Sequence, residues 1–268
     1  MNASSQTIGR IFWEKDQQIA RVWIDHPENL NALSTAMWHE LREAFTAIAR
    51  DASLRVAVIR GVGGAFASGA DIAEFNRVRK TVDQVRSFHE DMIAPALASI
   101  VHCPIPVVAA IHGPCVGGGL EIASVCDLRI ASDESRFGIP INRLGFPFAP
   151  AEAAGLVSLV GRAVSLELLL EGRIMNAQEA YEKGLISRCV AFALWADEVE
   201  ACLSRIAQGA PATARRNKWL IHVLSELKDR DILSPLQREA SWDFAQSKDY
   251  QRGLDAFAAK TKPEFKDD

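Results

Sequence analysis

Apolar and polar positions along the chain fall into runs of two different periods. Ile, Phe, Trp and Val alternate with polar residues over Arg10–Lys15 and again over Gln18–Ile24, on either side of Asp16-Gln17, which predicts an opening β-hairpin. From Ser34 to Arg50 the period changes. Met37, Leu41, Ala44, Phe45 and Ile48 recur at helical spacing, with Ser34 placed to cap the first turn. Arg55–Arg60 is a short β-branched run that feeds Gly61, Gly63 and Gly64, and a helix is expected over Val82–Ile100. After the break at Pro104 and Pro106, Val107–Ile111 reads as a buried strand ending at His112-Gly113-Pro114. Gly117-Gly118-Gly119 then opens a helix over Leu120–Val125, and Leu128–Ala131 is a further strand.

From Pro150 the pattern is almost wholly helical, with segments expected at 150–160, 164–171, 177–183, 195–208, 211–229, 233–246 and 249–260. The chain therefore divides into an α/β core over residues 1–192 and a helical region over 193–268. No repeat, low-complexity tract or Gly/Ser linker separates them. Trp195, Leu203 and Ile206, then Trp219, Leu220, Val223 and Leu224, give the tail apolar faces that so short a region would not bury alone. Association with another subunit is expected.

Composition narrows the function classes more than the fold. Of 268 residues, 49% are hydrophobic and 24% charged, the usage of an ordinary folded, soluble chain. A net charge of −4 provides no broad basic field for nucleic acid or an anionic membrane. The Ser34–Arg50 helix, with Arg42 and Arg50 against Glu40 and Glu43, offers no basic face either. Cys103, Cys115, Cys126, Cys189 and Cys202 lack metal-ligand spacing and read as buried free thiols in a reducing compartment. The N-terminus has no secretory pattern and no apolar stretch is expected to reach membrane-spanning length, so neither a membrane nor a nucleic acid is expected as a partner and the location expected is cytoplasmic.

The candidate chemistry sits at two glycine clusters. The first, Gly61 to Asp71, follows a strand, but Phe66 stands where a dinucleotide fingerprint needs its third glycine. The second, Gly113 to Glu121, repeats the order strand, glycine turn, helix start. Three consecutive glycines let the backbone approach a ligand, and the first turn of a helix presents unpaired N–H groups at a positive dipole end. Glu121, three residues after Gly118, belongs on the same face as that N–H. A carboxylate among Leu120, Ile122, Ala123 and Val125 is costly to bury, so it reads either as a partner of the helix dipole or as a proton-transfer group beside an anion trap.

These segments resemble the crotonase family, the enoyl-CoA hydratase/isomerase superfamily, over nearly the whole chain. His26 to Ser34 is similar to the family's early CoA-contacting segment, and Ala65 to Phe75 and Gly113 to Asp127 resemble its two oxyanion-hole loops. Phe137-Gly138-Ile139-Pro140 resembles the strand leading to its second catalytic position, and Gly253 to Phe265 its closing helix. The resemblance implies a spiral of ββα units with a helical C-terminal trimerisation region, assembled as a homotrimer or a dimer of trimers. It implies an enzyme acting on acyl-CoA thioesters with no cofactor beyond the coenzyme A of the substrate, and no bound metal. The N–H groups of Ala70 and Gly118 would hold the thioester oxygen while Glu121 acts as acid/base. Coenzyme A would meet Leu30, Ala32, Ser68, Asp71 and Ile72, with Phe257 and Lys260 serving either this site or a neighbouring subunit's.

One departure bears on the reaction. Hydratases of this family carry a second glutamate directly after the proline of the Phe-Gly-x-Pro strand, and here that residue is Ile141. Hydration asks one group to activate water and another to manage the α-proton. Either Glu121 works alone, or Asn142, Glu152 or Asp71 substitutes, or the reaction is a double-bond isomerisation or another single-base conversion. A non-catalytic acyl-CoA-binding member is a further reading. Ile141 and Phe146 are expected in the acyl pocket, Phe148 there or in the core, and His112 in a structural role.

Overall fold

A computed structural model describes residues 9–226 and 247–266. The opening hairpin forms as expected: β1 (Arg10–Asp16) pairs antiparallel with β2 (Ile19–Asp25). Helix α1 (Thr35–Arg50) follows, its first turn capped by the Ser34 hydroxyl, which accepts from the Met37 N–H at 3.3 Å. Its apolar stripe, including Trp38 and Phe45, is fully buried. Truncating either ring to alanine would cost about 3–5 kcal/mol.

Strand β3 (Val56–Gly61) leads to a short helix α2 (Phe75–Val78) and then to α3 (Val82–Ser87), whose start is fixed by a reciprocal cap between Thr81 and Gln84. The helix expected over Val82–Ile100 is present but not uniform. Between α3 and α4 (Ala94–Val101) the turn widens to a π-helix over Phe88–Ile93. Strand β4 (Val107–Ile111), β5 (Pro114–Val116), helix α5 (Gly118–Val125), β6 (Leu128–Ser132) and β7 (Arg136–Gly138) complete the part that carries the glycine turns.

The region beyond Pro150 corrects the expectation of continuous helix. Between α6 (Pro150–Glu171), α7 (Ala177–Glu182) and α8 (Phe192–Ala207) lie β8 (Met175–Asn176) and β9 (Arg188–Val190), too short for any periodicity to announce. Helix α9 (Pro211–Glu226) and a last helix, Lys248–Ala259, follow. The helix expected at 233–246 lies outside the described residues. By length and composition α6 could cross a membrane, which corrects the expectation that no apolar stretch reaches that length. Its backbone leaves the helical region at Gly161 (φ 70°, ψ 179°), and its first turn carries a buried carboxylate, Glu152.

Six strands form one sheet in the order β1-β2-β3-β4-β6-β9, parallel except for the opening hairpin, and β5-β7-β8 form a second. Strands covered on both faces are expected to be continuously apolar. Val107–Ile111 is buried throughout, with Val107, Ala109 and Ile111 facing the core under α1 and α4 and Val108 and Ala110 facing α8. Trp195, Val199, Cys202 and Leu203 of α8 fill that second layer, and the Trp195 indole N–H donates to the Ile130 carbonyl at 3.1 Å. All five cysteines are free thiols.

Candidate active site

The loop after β3 is fastened by Asn31, which is fully buried. Its Oδ1 accepts the His26 N–H at 2.7 Å, and its Nδ2 donates to the carbonyls of Val62 (2.9 Å) and Ala65 (2.7 Å). Beyond it the loop runs alongside two other segments. The Leu33 N–H donates to the Gly69 carbonyl at 2.8 Å and the Asp71 N–H to the Leu33 carbonyl at 2.9 Å, while the Val116 N–H donates to the Ala67 carbonyl at 2.9 Å. The Ala70 N–H lies between these bonds and meets no backbone acceptor among the described residues.

The second turn meets the first at its glycines. Gly117 takes a left-handed conformation (φ 51°), and a side-chain carbon there would stand 3.5 Å from Gly69 Cα. Helix α5 starts at the next residue, so the Gly118 N–H also has no backbone acceptor among the described residues, whereas the Glu121 N–H donates to the Gly117 carbonyl at 2.9 Å. Two unpaired N–H groups from separate loops thus line one cavity of about 130 Å³.

Glu121 enters that cavity from the first turn of α5. Its residue is 7% exposed and Oε2 has no hydrogen-bond partner. Burial pushes its carboxyl well above the ordinary range, the nearby Glu152 carboxylate adds to the shift, and the Arg79 guanidinium opposes it. Glu152 lies on the cavity wall at 3% exposure, with its Oε1 2.5 Å from Nδ1 of His89 on the π turn. The Arg79 guanidinium stacks on the rings of Phe146 (4.3 Å), Phe75 (4.4 Å) and Phe88 (5.2 Å). Burial lowers its pKa, and the charges of Glu152 and Glu121 pull it back.

Of the residues singled out from the sequence, Ala70, Gly118, Glu121, Ser68, Ile72, Ile141 and Phe146 line this cavity, as does Phe148. Leu30 is exposed and its carbonyl accepts the Ser68 N–H at 3.0 Å, next to the cavity wall. Ala32 is buried, with its carbonyl 3.1 Å from the His26 ring, and the Asp71 carboxylate caps its own 3-10 turn by accepting from the Ala73 N–H. Neither lines the cavity, and nor does Lys260, exposed after the last helix. The Phe257 side chain lies outside the described residues.

Of the three candidate substitutes for a second glutamate, only Glu152 reaches the cavity. The Asn142 amide turns to the Leu170 carbonyl instead, at 2.9 Å. His112 stacks on Phe192 and its Nδ1 lies 2.9 Å from the Ser132 hydroxyl. His89, Arg79, Phe75 and Phe88 were not legible as site residues, because only tertiary packing turns their helical segments toward Glu121.

Two strand-to-helix turns converge on a pair of N–H groups without backbone acceptors among the described residues, beside a buried carboxyl whose pKa burial raises, an arrangement suited to an enzyme site that takes up negative charge. The comparisons with known proteins give the family. The family model for enoyl-CoA hydratase/isomerase matches residues 14–268. A protein of Mycobacterium bovis named "Probable enoyl-CoA hydratase" is 31% identical over 259 residues, covering 97% of this chain and 98% of that one. A crystal structure of an enoyl-CoA hydratase/carnithine racemase from Magnetospirillum magneticum superposes with a TM-score of 0.93 at 41% identity, covering 98% and 97% of the two chains. An enoyl-CoA hydratase from Bacillus anthracis gives 0.88 at 29% identity, covering 97% and 100%. The chain belongs to the enoyl-CoA hydratase/isomerase family and has the crotonase fold.

Proposed function

We propose that the cavity receives the thioester end of an acyl-CoA, that the N–H groups of Ala70 and Gly118 stabilise its oxygen as an enolate, and that Glu121 transfers the proton at the α-carbon. The observation that carries this reading is the buried, unpartnered Glu121 carboxyl in the same cavity as two unpaired N–H groups. Enolate formation moves charge onto the oxygen, where preorganised donors act; losing one donor typically costs about 10²–10³ in rate. Leu30 and Ile72, both large, apolar and exposed beside the site, suit contact with the pantetheine and adenosine portions, with Ser68 at the mouth. Hydration of an enoyl-CoA is the reaction favoured, and double-bond isomerisation is the second reading because Ile141 has no acid/base function.

In this reading coenzyme A belongs to the substrate and no further cofactor acts, the chain works in the cytoplasm, and neither nucleic acid nor a membrane is a partner. A homotrimer or dimer of trimers is inferred, with exposed Trp219 and Ile221 on α9 as apolar candidates for the contact; light scattering gives the mass. The function is tested by following α-proton exchange of butyryl-CoA in D2O, hydration of crotonyl-CoA and isomerisation of a 3-enoyl-CoA, each with Glu121→Gln alongside. Loss of all activity in the variant is expected. CoA-thioester binding without exchange or turnover in the wild type would instead identify a non-catalytic binding member.

A further inference from the structure

Ile141 lines the cavity at the place where the family resemblance puts a second carboxylate, and an alkyl side chain carries no proton. The same cavity receives a different acid/base pair from two other elements. His89 comes from the widened turn Phe88–Ile93, and π turns inside helices occur frequently at functional sites. Glu152 comes from the first turn of α6 and is buried with its Oε1 2.5 Å from His89 Nδ1. A carboxylate can only accept, so it pairs with a ring N–H on Nδ1, and a neutral ring held in this way carries its lone pair on Nε2. Among the described residues, Nε2 has no hydrogen-bond partner.

We propose that His89, oriented by Glu152, is the second proton-transfer group of this site and activates water for addition at the β-carbon while Glu121 serves the α-carbon. The inference rests on the enolate reading above. Glu121 lies three residues from the Gly118 donor on one helical turn, which ties its carboxyl to the thioester oxygen and the adjoining α-carbon. Burial raises its pKa, which favours the proton-bearing form that can donate. His89 stands on an independent element and lines the same cavity.

The step balances as follows. Nε2 takes a proton from water as the water oxygen bonds to the β-carbon. The double-bond pair moves to the α-carbon and the thioester oxygen, where Ala70 and Gly118 hold the charge. The enolate then takes the Glu121 proton at the α-carbon, and the imidazolium returns its proton through solvent to the Glu121 carboxylate. One water is consumed and one 3-hydroxyacyl-CoA formed. Glu152 touches no reacting atom in this scheme; it is a positioning residue that fixes the tautomer and offsets the imidazolium charge.

The experiment compares wild type, His89→Gln, Glu152→Gln and Glu121→Gln in two assays: hydration of crotonyl-CoA and α-proton exchange of butyryl-CoA in D2O. His89→Gln is expected to lower the kcat of hydration by about 10²–10⁴-fold while exchange falls less than about tenfold, since exchange needs only Glu121 and the two donors. Retained exchange also shows that the variant is folded. Glu152→Gln is expected to lose kcat by a smaller factor with KM within about threefold of wild type. Glu121→Gln should lose both activities. Hydration by His89→Gln within about threefold of wild type overturns the proposal, as does a proportionate fall of hydration and exchange. A wild type that exchanges no α-proton overturns the enolate reading, and this one with it; that failure is recognisable because it appears before any variant is made.

Discussion

Gly119 stands directly against the Ala67 carbonyl: a methyl group on Gly119 would lie 2.4 Å from that oxygen and 2.9 Å from Ala67 Cβ. Neither is the end of a flexible side chain, so Gly119→Ala has to push α5 away from the loop that carries Ala70. Overpacking of this kind costs about 1–3 kcal/mol. The larger effect is expected in kcat, which should fall about 10²–10³-fold as the Gly118 donor leaves its place. Binding of a CoA thioester by titration calorimetry, set beside kcat, checks the division.

Glu121 destabilises the folded chain that uses it. Its native pKa is raised by burial, so above the ordinary carboxyl value of about 4.3 the unfolded chain has released a proton that the native state still holds. Stability therefore falls as pH rises from that value toward the raised native one. Glutamine does not titrate. Glu121→Gln should match wild type at about pH 4 and exceed it at about pH 8, because glutamine has no proton to lose. Urea melts at the two pH values measure the difference, and an equal gap at both would contradict it.

Arg79 acts on the same carboxyl with the opposite sign. Its positive charge lowers the Glu121 pKa, so Arg79→Met should raise that pKa further. If turnover needs Glu121 protonated, the alkaline limb of kcat/KM moves to higher pH in the variant. A limb that stays in place, or moves down, would detach Glu121 from that limb.

Asn31 joins the end of the hairpin to the loop that carries Ala70 through three hydrogen bonds. Asn31→Ala strips partners from the His26 N–H and from the Val62 and Ala65 carbonyls, at about 1–3 kcal/mol for each group left buried and unpaired. The left-handed backbone at Asn31 (φ 57°) adds strain that alanine accommodates less readily. A reduced urea midpoint with an unchanged m-value is expected, together with lower turnover in the folded fraction.

Much of the sheet was readable from the sequence because its period is plain: the hairpin, α1, Val107–Ile111 and the helix after Gly117 all appear near their expected positions. The separation of residues 150–160 from 164–171 corresponds to the backbone break at Gly161. Strands β8 and β9 escaped notice because a two- or three-residue strand owes its conformation to the neighbour it pairs with. The site divides in the same way. Gly118 and Glu121 share one helical turn, so their relation is local and legible. His89 and Glu152 belong to separate helical elements, and no spacing along the chain encodes their 2.5 Å contact.

The bridges Leu33–Ala70 and Ala67–Cys115 draw three stretches of chain, distant in sequence, around the two unpaired N–H groups. No fragment and no partly assembled chain could present that pair, since each N–H is aimed by a partner from another stretch. During refolding from denaturant the local helices can form early, because their hydrogen bonds close over four residues. Catalysis has to wait for the long-range closures, so recovery of turnover should trail recovery of helical signal.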